Sequence, residues 1–577
     1  MHRLAVVAAV ALALFAAQAE AGLRLSSVLP MSYTQSAPVQ IKVNSLTSHT
    51  KVMPMPWYSN PWCQMLPEEL KAYKRKQNLG EVLWGNQIEP SLYQAQMLIN
   101  NTCTAVCPTI TYTPEMKKLL TQRIEDNYRG NLVLDGLPGA EEGSGRQSAL
   151  TSAVATGFPI GVAKKYSPTG QTLVNNHLAL YVMYHEHTTQ AYIAGEDEPT
   201  ETYRVVGFSI APMSIDHSKV ACNDKLDLAE GTKFPVAADS DNIQWTYSVH
   251  WIESDIEWST RWDVYMRSTK VEARIHWMSI FNSLVVVFLL TAIIALILFR
   301  LLKRDFARYN DAEAIEEERD ETGWKQVHGD VFRKPDAAGL LSVYIGSGVQ
   351  LLGMCFVTIV FACLGFASPA NRGSLLTIAI FLFVLLGSYS GYTTARMAKM
   401  FKMKSWRIIF AVGLFFPGSM FGVYFLLNFV HWGSHAASAT PIGAMLTLFA
   451  LWLCVSLPLV LLGGAVGYRR EAIEPPRKVN AIAKSIPPQP VYLQYPQCVL
   501  IPGILPFGSA FIESVFILSS IWQGRIYYVF GFLGLVFLIL IVTCAEATIV
   551  MIYFQLVNLD YHWWWRSFFT GASYGIW

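Results

Sequence analysis

Between positions 244 and 252 the chain alternates. Trp245, Tyr247, Val249 and Trp251 share one face, and Gln244, Thr246, Ser248 and His250 share the other. A period of two predicts a half-buried strand. Leu178, Leu180, Val182 and Tyr184 repeat the pattern, and residues 203–210 are rich in the β-branched and aromatic side chains that strands favour. A β-sandwich is the simplest container for such strands. Met116, Leu119, Leu120 and Ile124 recur at helical spacing and predict a helix over 115–128. The Gly-, Ala- and Ser-rich stretch 138–157 lacks large apolar residues, which predicts a connection dividing this half into two lobes.

After residue 275 the pattern changes to long apolar runs. Residues 277–299 form an uncharged run of 23, enough at ~1.5 Å per residue to cross ~30 Å of hydrocarbon. Residues 337–371 and 373–395 are separated only by Arg372 and predict a hairpin of two spans. Residues 408–468 hold no Asp, Glu, Lys or Arg, and the polar break at 431–441 splits them into a fourth and a fifth span. Residues 499–522 and 526–558 supply two more. The aromatic, basic stretch 561–566 reads as an interfacial girdle at the start of an eighth. The fold class expected is therefore a polytopic α-helical membrane protein with an N-terminal, mainly-β domain over 22–275 and a helical domain over 276–577.

Composition supports that division of solvents. Only 15% of residues are charged, against about 25% in soluble domains, and 52% are hydrophobic. The net charge of +2 gives no reason to expect nucleic acid as a partner. Residues 1–21 carry Arg3, then an apolar run too short to span, then small residues ending at Ala21, which is the pattern of a cleaved signal peptide. The β domain would then be lumenal or extracellular. Lys and Arg agree, since they collect in cytosolic loops: residues 300–334 hold eight, 396–407 five and 469–484 five, whereas the opposite loops hold only Arg372 and Arg525.

An oxidising compartment permits disulfides among Cys63, Cys103, Cys107 and Cys222, and sequence cannot choose among their three pairings. Cys103 and Cys107 lack a second ligand pair at zinc spacing, and His185 and His187 lack a third ligand, so no metal or other cofactor is expected. Asn100-Asn101-Thr102 makes Asn100 a candidate glycosylation site. Within the spans, Gly387 and Gly391, Gly418 and Gly422, and Gly463 and Gly467 keep the spacing that lets helices approach closely. They predict either a groove for a client helix or packing among the protein's own spans. Glu513 and Glu546 are carboxyls inside spans, where a carboxyl is a functional candidate by default. They need not be partners: counted from the turn at Gly524 they lie ~16 and ~33 Å deep, which puts Glu513 near mid-membrane and Glu546 toward the cytosolic surface, so a relay would need polar groups between them. The acidic run 313–321 reads as a solvated linker, and Pro487 to Pro490 before Tyr492 as a weak adaptor-binding string. Phosphate-loop, His-Glu-x-x-His and Gly-x-Ser-x-Gly motifs are missing, which points away from an enzyme.

Several strings resemble one family, the transmembrane nine superfamily or nonaspanins (EMP70-like proteins). They are Asn78-Leu79-Gly80-Glu81-Val82-Leu83, residues 248–263, Gly323-Trp324-Lys325-Gln326-Val327-His328-Gly329-Asp330-Val331-Phe332-Arg333, residues 346–350, residues 504–508 with Phe511-Ile512-Glu513, and Asp560-Tyr561-His562-Trp563-Trp564-Trp565-Arg566. The resemblance implies a lumenal domain followed by nine helices in Golgi and endosomal membranes. It further implies a role in sorting or surface delivery of membrane proteins, including those with Gly-rich transmembrane segments, and in adhesion and phagocytosis. By that pattern, two further helices and a Lys-containing tail are missing after Trp577. Expected partners are the lipid bilayer, client membrane proteins, and coat or adaptor proteins. The competing readings are an ion or small-molecule transporter using Glu513, and an adhesion receptor.

Overall fold

The computed structural model describes residues 30–48, 50–51, 53–66, 68–69, 78–85, 87–141, 156–189, 200–222, 232, 234–266, 270–310, 323–364, 373–522 and 530–577. The signal-peptide segment 1–21, the acidic run 313–321, most of the Gly-rich connection, Arg372 and Arg525 lie outside them.

The described part of the N-terminal domain is built on two five-stranded sheets that share one core, with a three-stranded and a two-stranded sheet beside them. Strands β1 (Pro38–Ser48), β2 (Glu89–Gln96), β3 (Asn101–Ala105), β4 (Tyr128–Leu134), β5 (His177–Thr189), β6 (Thr200–Met213) and β7 (Thr246–Glu253) carry most of it. The first sheet runs β2-β1-β4 and continues into Leu137–Pro138; the second runs β3-β7-β5-β6 and ends on Ala140–Glu141. β5 pairs antiparallel with β6 but parallel with β7, with Leu178 opposite Tyr247 and Leu180 opposite Val249. Inward residues of both sheets meet in a single cluster that holds Ile41, Leu132, Leu134, Leu178, Leu180, Phe208 and Val249. That cluster also contains Leu137 just before the Gly-rich connection, Ala140 near its start, and Phe158 and Ile160 just after it. The domain is therefore one lobe, not two, because chain on both sides of the connection buries its apolar residues in the same core.

Helix α1 (Leu79–Trp84) begins at Asn78, whose side chain accepts from the Glu81 N–H, and ends at Gly85 in the left-handed region. Helix α2 (Pro114–Glu125) starts with Thr113 accepting from the Met116 N–H and buries Leu120 and Ile124. It stops short of the predicted Tyr128, because Asn127 turns the chain at φ 54° and Tyr128 opens β4.

The helical domain consists of α3 (Lys270–Asn310), α4 (Ala338–Cys363), α5 (Ser374–Met400), α6 (Trp406–Gly433), α7 (Ile442–Arg469), α8 (Gln497–Trp522), α9 (Phe530–Val557) and α10 (Trp563–Ala572). Six helices among the described residues are long and apolar enough to cross a membrane: α4 to α7, Ile280–Arg304 within α3, and Leu533–Val557 within α9. α8 carries Pro502 and Pro506. α7 widens to a π turn over Leu451–Ser456 just before Pro458, which offers no N–H to the carbonyl of Cys454. Trp452 uses the same region to donate its indole N–H to the Gly413 carbonyl of α6 at 2.9 Å.

Candidate functional site

At the end of the bundle away from the β domain, two of the rare strings lock together across more than two hundred residues of sequence. The segment entering α4 is irregular after its 3-10 turn Gly323–Val327, so its carbonyls are not used up in a helix. Three successive indoles from the start of α10 take them: Trp563 Nε1 donates to Val331 O at 2.9 Å, Trp564 to Arg333 O at 3.1 Å and Trp565 to Asp336 O at 2.7 Å. An indole can only donate, so a half-buried one needs such an acceptor. Trp564 and Trp565 also pack on Leu341 and Phe401. Asp560, 1% exposed, pairs with Arg566 at 2.8 Å. Asp330, fully buried, accepts from Arg333 at 2.6 Å and from the Lys484 N–H at 3.3 Å, which draws the α7–α8 connection into the same cap.

The opposite end joins the β domain to the bundle. The Gly80 N–H donates to Thr377 Oγ1 on α5 at 3.0 Å. A Cβ built on Gly80 would overlap the Gly373 carbonyl, so glycine is required for α1 to dock this closely. The Ala437 N–H, in the turn between α6 and α7, donates to Pro54 O of the β domain at 2.9 Å. Glu81 is 2% exposed at this junction.

Between the two ends, the glycines separate into two kinds. A Cβ on Gly391 would overlap the Val460 carbonyl of α7, one on Gly463 the Ser388 carbonyl of α5, and one on Gly467 would come within 2.7 Å of Tyr392 O. Gly387 faces Val460 at 3.2 Å. These four, offered by sequence as a client groove, face each other across the α5–α7 seam, and the chain's own helices fill the space a client would need. Gly418 lies against Trp452, while among the described residues nothing comes within 4 Å of a Cβ on Gly422. Val423 and Leu426 beside it are 56% and 67% exposed.

Glu513 on α8 is 1% exposed. Ser283 of α3 donates to the carbonyl of Ser509, one turn before Glu513. Glu546 on α9 accepts from Thr291 of α3 at 2.5 Å, so each carboxyl sits near α3 with its own surroundings. The four N-terminal cysteines form Cys63–Cys107 and Cys103–Cys222. Asn100 is exposed, and its Oδ1 accepts from the Trp251 N–H at 2.8 Å. His185 binds the Ser254 carbonyl through Nδ1. Sequence reasoning missed a different cluster: the Cys103 sulfur and a ring nitrogen each of His177 and His217 lie within 4.8 Å of one another. No short-range spacing could reveal it, because the three residues come from distant segments.

Residues 54–577 match the family described as Endomembrane protein 70. The chain is 40% identical over 566 residues to transmembrane 9 superfamily member 8 of Arabidopsis thaliana, covering 95% of this chain and 85% of that protein. It is 40% identical over 561 residues to member 4 of Homo sapiens (95% and 86% covered) and 37% identical over 565 residues to human member 2 (93% and 81% covered). No solved structure matches.

Proposed function

Because the chain belongs to the transmembrane 9 superfamily, we propose that it is a non-enzymatic factor that sorts other membrane proteins through Golgi and endosomal membranes. In this reading the β domain lies in the lumen and the indole-locked cap faces the cytosol. Two disulfides in the β domain suit an oxidising compartment, and the bias of Lys and Arg toward the loops at 300–334, 396–407 and 469–484 supports the same sidedness. Tyr492, after the Pro-rich string, is 48% exposed and open to a coat or adaptor.

The observation that carries the proposal is the outer face of α6, where Gly422 lies clear of every neighbour among the described residues, between bulky exposed apolar side chains. A client helix with its own small residues can approach the α6 backbone there, since close packing rather than hydrophobicity drives association in lipid. Gly422→Leu should lower the surface level of a reporter with a Gly-rich transmembrane segment while leaving the protein itself folded. Unchanged reporter levels would remove α6 as the client face.

A transporter reading is favoured by one feature, the fully enclosed Glu513 beside the Ser283–Ser509 contact. It predicts ion- or pH-dependent flux in proteoliposomes that Glu513→Gln abolishes.

A further inference from the structure

The connection from α5 to α6 and the end of α7 meet at one corner of the bundle, on the side of the indole cap. Phe401, just past α5, meets Trp564 edge to face with 5.1 Å between ring centres. Tyr468 of α7 donates its hydroxyl to the Ser405 carbonyl at 3.0 Å, and its ring lies 5.9 Å from that of Trp406. Lys399 donates to the Tyr468 carbonyl at 3.1 Å and to that of Arg470, and Arg396 donates to the Glu471 carbonyl. These acceptors lie at and just beyond the open C-terminal end of α7, so the two side chains serve to close a helix end. A carbonyl is neutral, however, and cancels no charge.

Residues 396–407 hold five Lys or Arg and no Asp or Glu, and residues 468–478 add four more against Glu471 and Glu474. Lys402, Lys404, Arg407 and Arg470 are exposed, and no ion pair among the described residues uses them. The preference of basic residues for one side of a membrane explains their presence, but not their gathering at a single corner around an aromatic ring. Trp406 is 49% exposed, and Phe410 and Leu414 follow it along α6 at a spacing of four residues, 43% and 40% exposed. An indole belongs at headgroup level, and the other two side chains face hydrocarbon beneath it. Cations at the tip with an apolar track leading away match a molecule with an anionic head and acyl tails. We propose that this corner of α5, α6 and α7 holds a membrane lipid whose headgroup carries several phosphates, with Lys402, Lys404 and Arg407 on the head and Trp406 and Phe410 along a tail.

Charge decides the class of head. A phosphatidylserine head carries a single net negative charge, which any one of these cations balances. Each phosphomonoester on an inositol ring adds about −1.5 to −2, so a bisphosphate head engages several cations at once. Basic pockets between the ends of membrane helices suit such heads. Arg407 and Arg470 can each grip two oxygens of one phosphate, and the lysines act as point charges beside them. Ser405 makes no side-chain bond to the first turn of α6, so the positive end of that helix faces the same corner uncapped. A soluble inositol phosphate would use the cations but leave the track along Trp406 and Phe410 empty; a lipid fills both.

The test uses the full chain purified in detergent and a fluorescent phosphatidylinositol bisphosphate, with binding read by anisotropy. A saturable signal is expected that salt weakens and that the unlabelled lipid displaces far better than phosphatidylserine does. Lys402→Gln/Lys404→Gln/Arg407→Gln should weaken binding roughly a hundredfold, at about fivefold for each cation near the membrane surface. The charge-keeping Lys402→Arg/Lys404→Arg should bind as the unsubstituted chain does, and so should Lys164→Gln/Lys165→Gln in the β domain. Equal affinity in the triple variant and the unsubstituted chain overturns the proposal, as does a signal that never saturates. Free inositol trisphosphate competing as well as the lipid overturns it too, because the corner would then be a site for a soluble phosphate.

Discussion

Replacing Gly463 by Ala adds one methyl to the α5–α7 seam and isolates the energy of that contact. The new Cβ would overlap the Ser388 carbonyl oxygen and lie 2.7 Å from its carbon and 3.0 Å from the Ser388 Cα. All three are backbone atoms, so no side chain can rotate away. The helices must separate by roughly 1 Å to restore van der Waals contact. Separation also loosens Gly391 against Val460 and Gly467 against Tyr392 on the same seam. Overpacking of this kind costs ~1–3 kcal/mol, and the rigid obstacle puts the cost near the upper end. Against that, Ala gains about 1 kcal/mol in helix propensity over Gly. The net is a loss of about 2 kcal/mol. Gly422→Ala meets nothing and keeps the propensity gain, so the two substitutions should differ by about 3 kcal/mol. Unfolding of the purified full chain in detergent, followed by intrinsic Trp fluorescence, reads the order of midpoints. A midpoint for Gly463→Ala equal to or above that of Gly422→Ala would refute the internal seam.

Arg261, 4% exposed, pairs with Asp135 at 2.7 Å and donates to the Val205 carbonyl; Arg261→Met should cost ~3–5 kcal/mol by stranding the carboxylate, with much of that recovered in Arg261→Met/Asp135→Leu, as read by the thermal midpoint. Trp564→Phe keeps the ring against Phe401 but leaves Arg333 O without its indole donor, so it should cost ~1–3 kcal/mol and speed proteolysis at residues 331–336. Cys63→Ser/Cys107→Ser removes a cross-link across 44 residues and should lower stability by roughly 2–4 kcal/mol, checked by denaturant unfolding under non-reducing conditions.

Elements with a clean period were legible in the sequence. Residues 244–252 became β7 and 178–184 part of β5, because each strand sits over one core with its apolar positions in step. The long uncharged runs became helices because lipid leaves the backbone few other ways to satisfy itself. β1 was missed although Val39, Ile41 and Val43 alternate, since buried Asn44 and Ser45 and a register shift after Asn44 break the pattern in its second half. The parallel pairing of β5 with β7 depends on contacts across about seventy residues, which no local period encodes. The glycine motifs announced close approach without naming the partner: Gly391 and Gly422 share the same spacing, and only the positions of neighbouring helices show that one is enclosed and the other open. The indole cap and the cluster of Cys103, His177 and His217 were unreadable for the same reason.

The sorting account stands most directly on α6 touching a client helix in the membrane. A photoreactive benzoyl-phenylalanine at position 426, one turn from Gly422, would be introduced into cells expressing a reporter with a Gly-rich transmembrane segment. The account predicts a light-dependent adduct with the reporter that is lost in Gly422→Leu, together with reduced reporter at the cell surface. Contradiction would be an adduct of equal yield with and without Gly422→Leu, or no adduct at all while reporter delivery still depends on this protein.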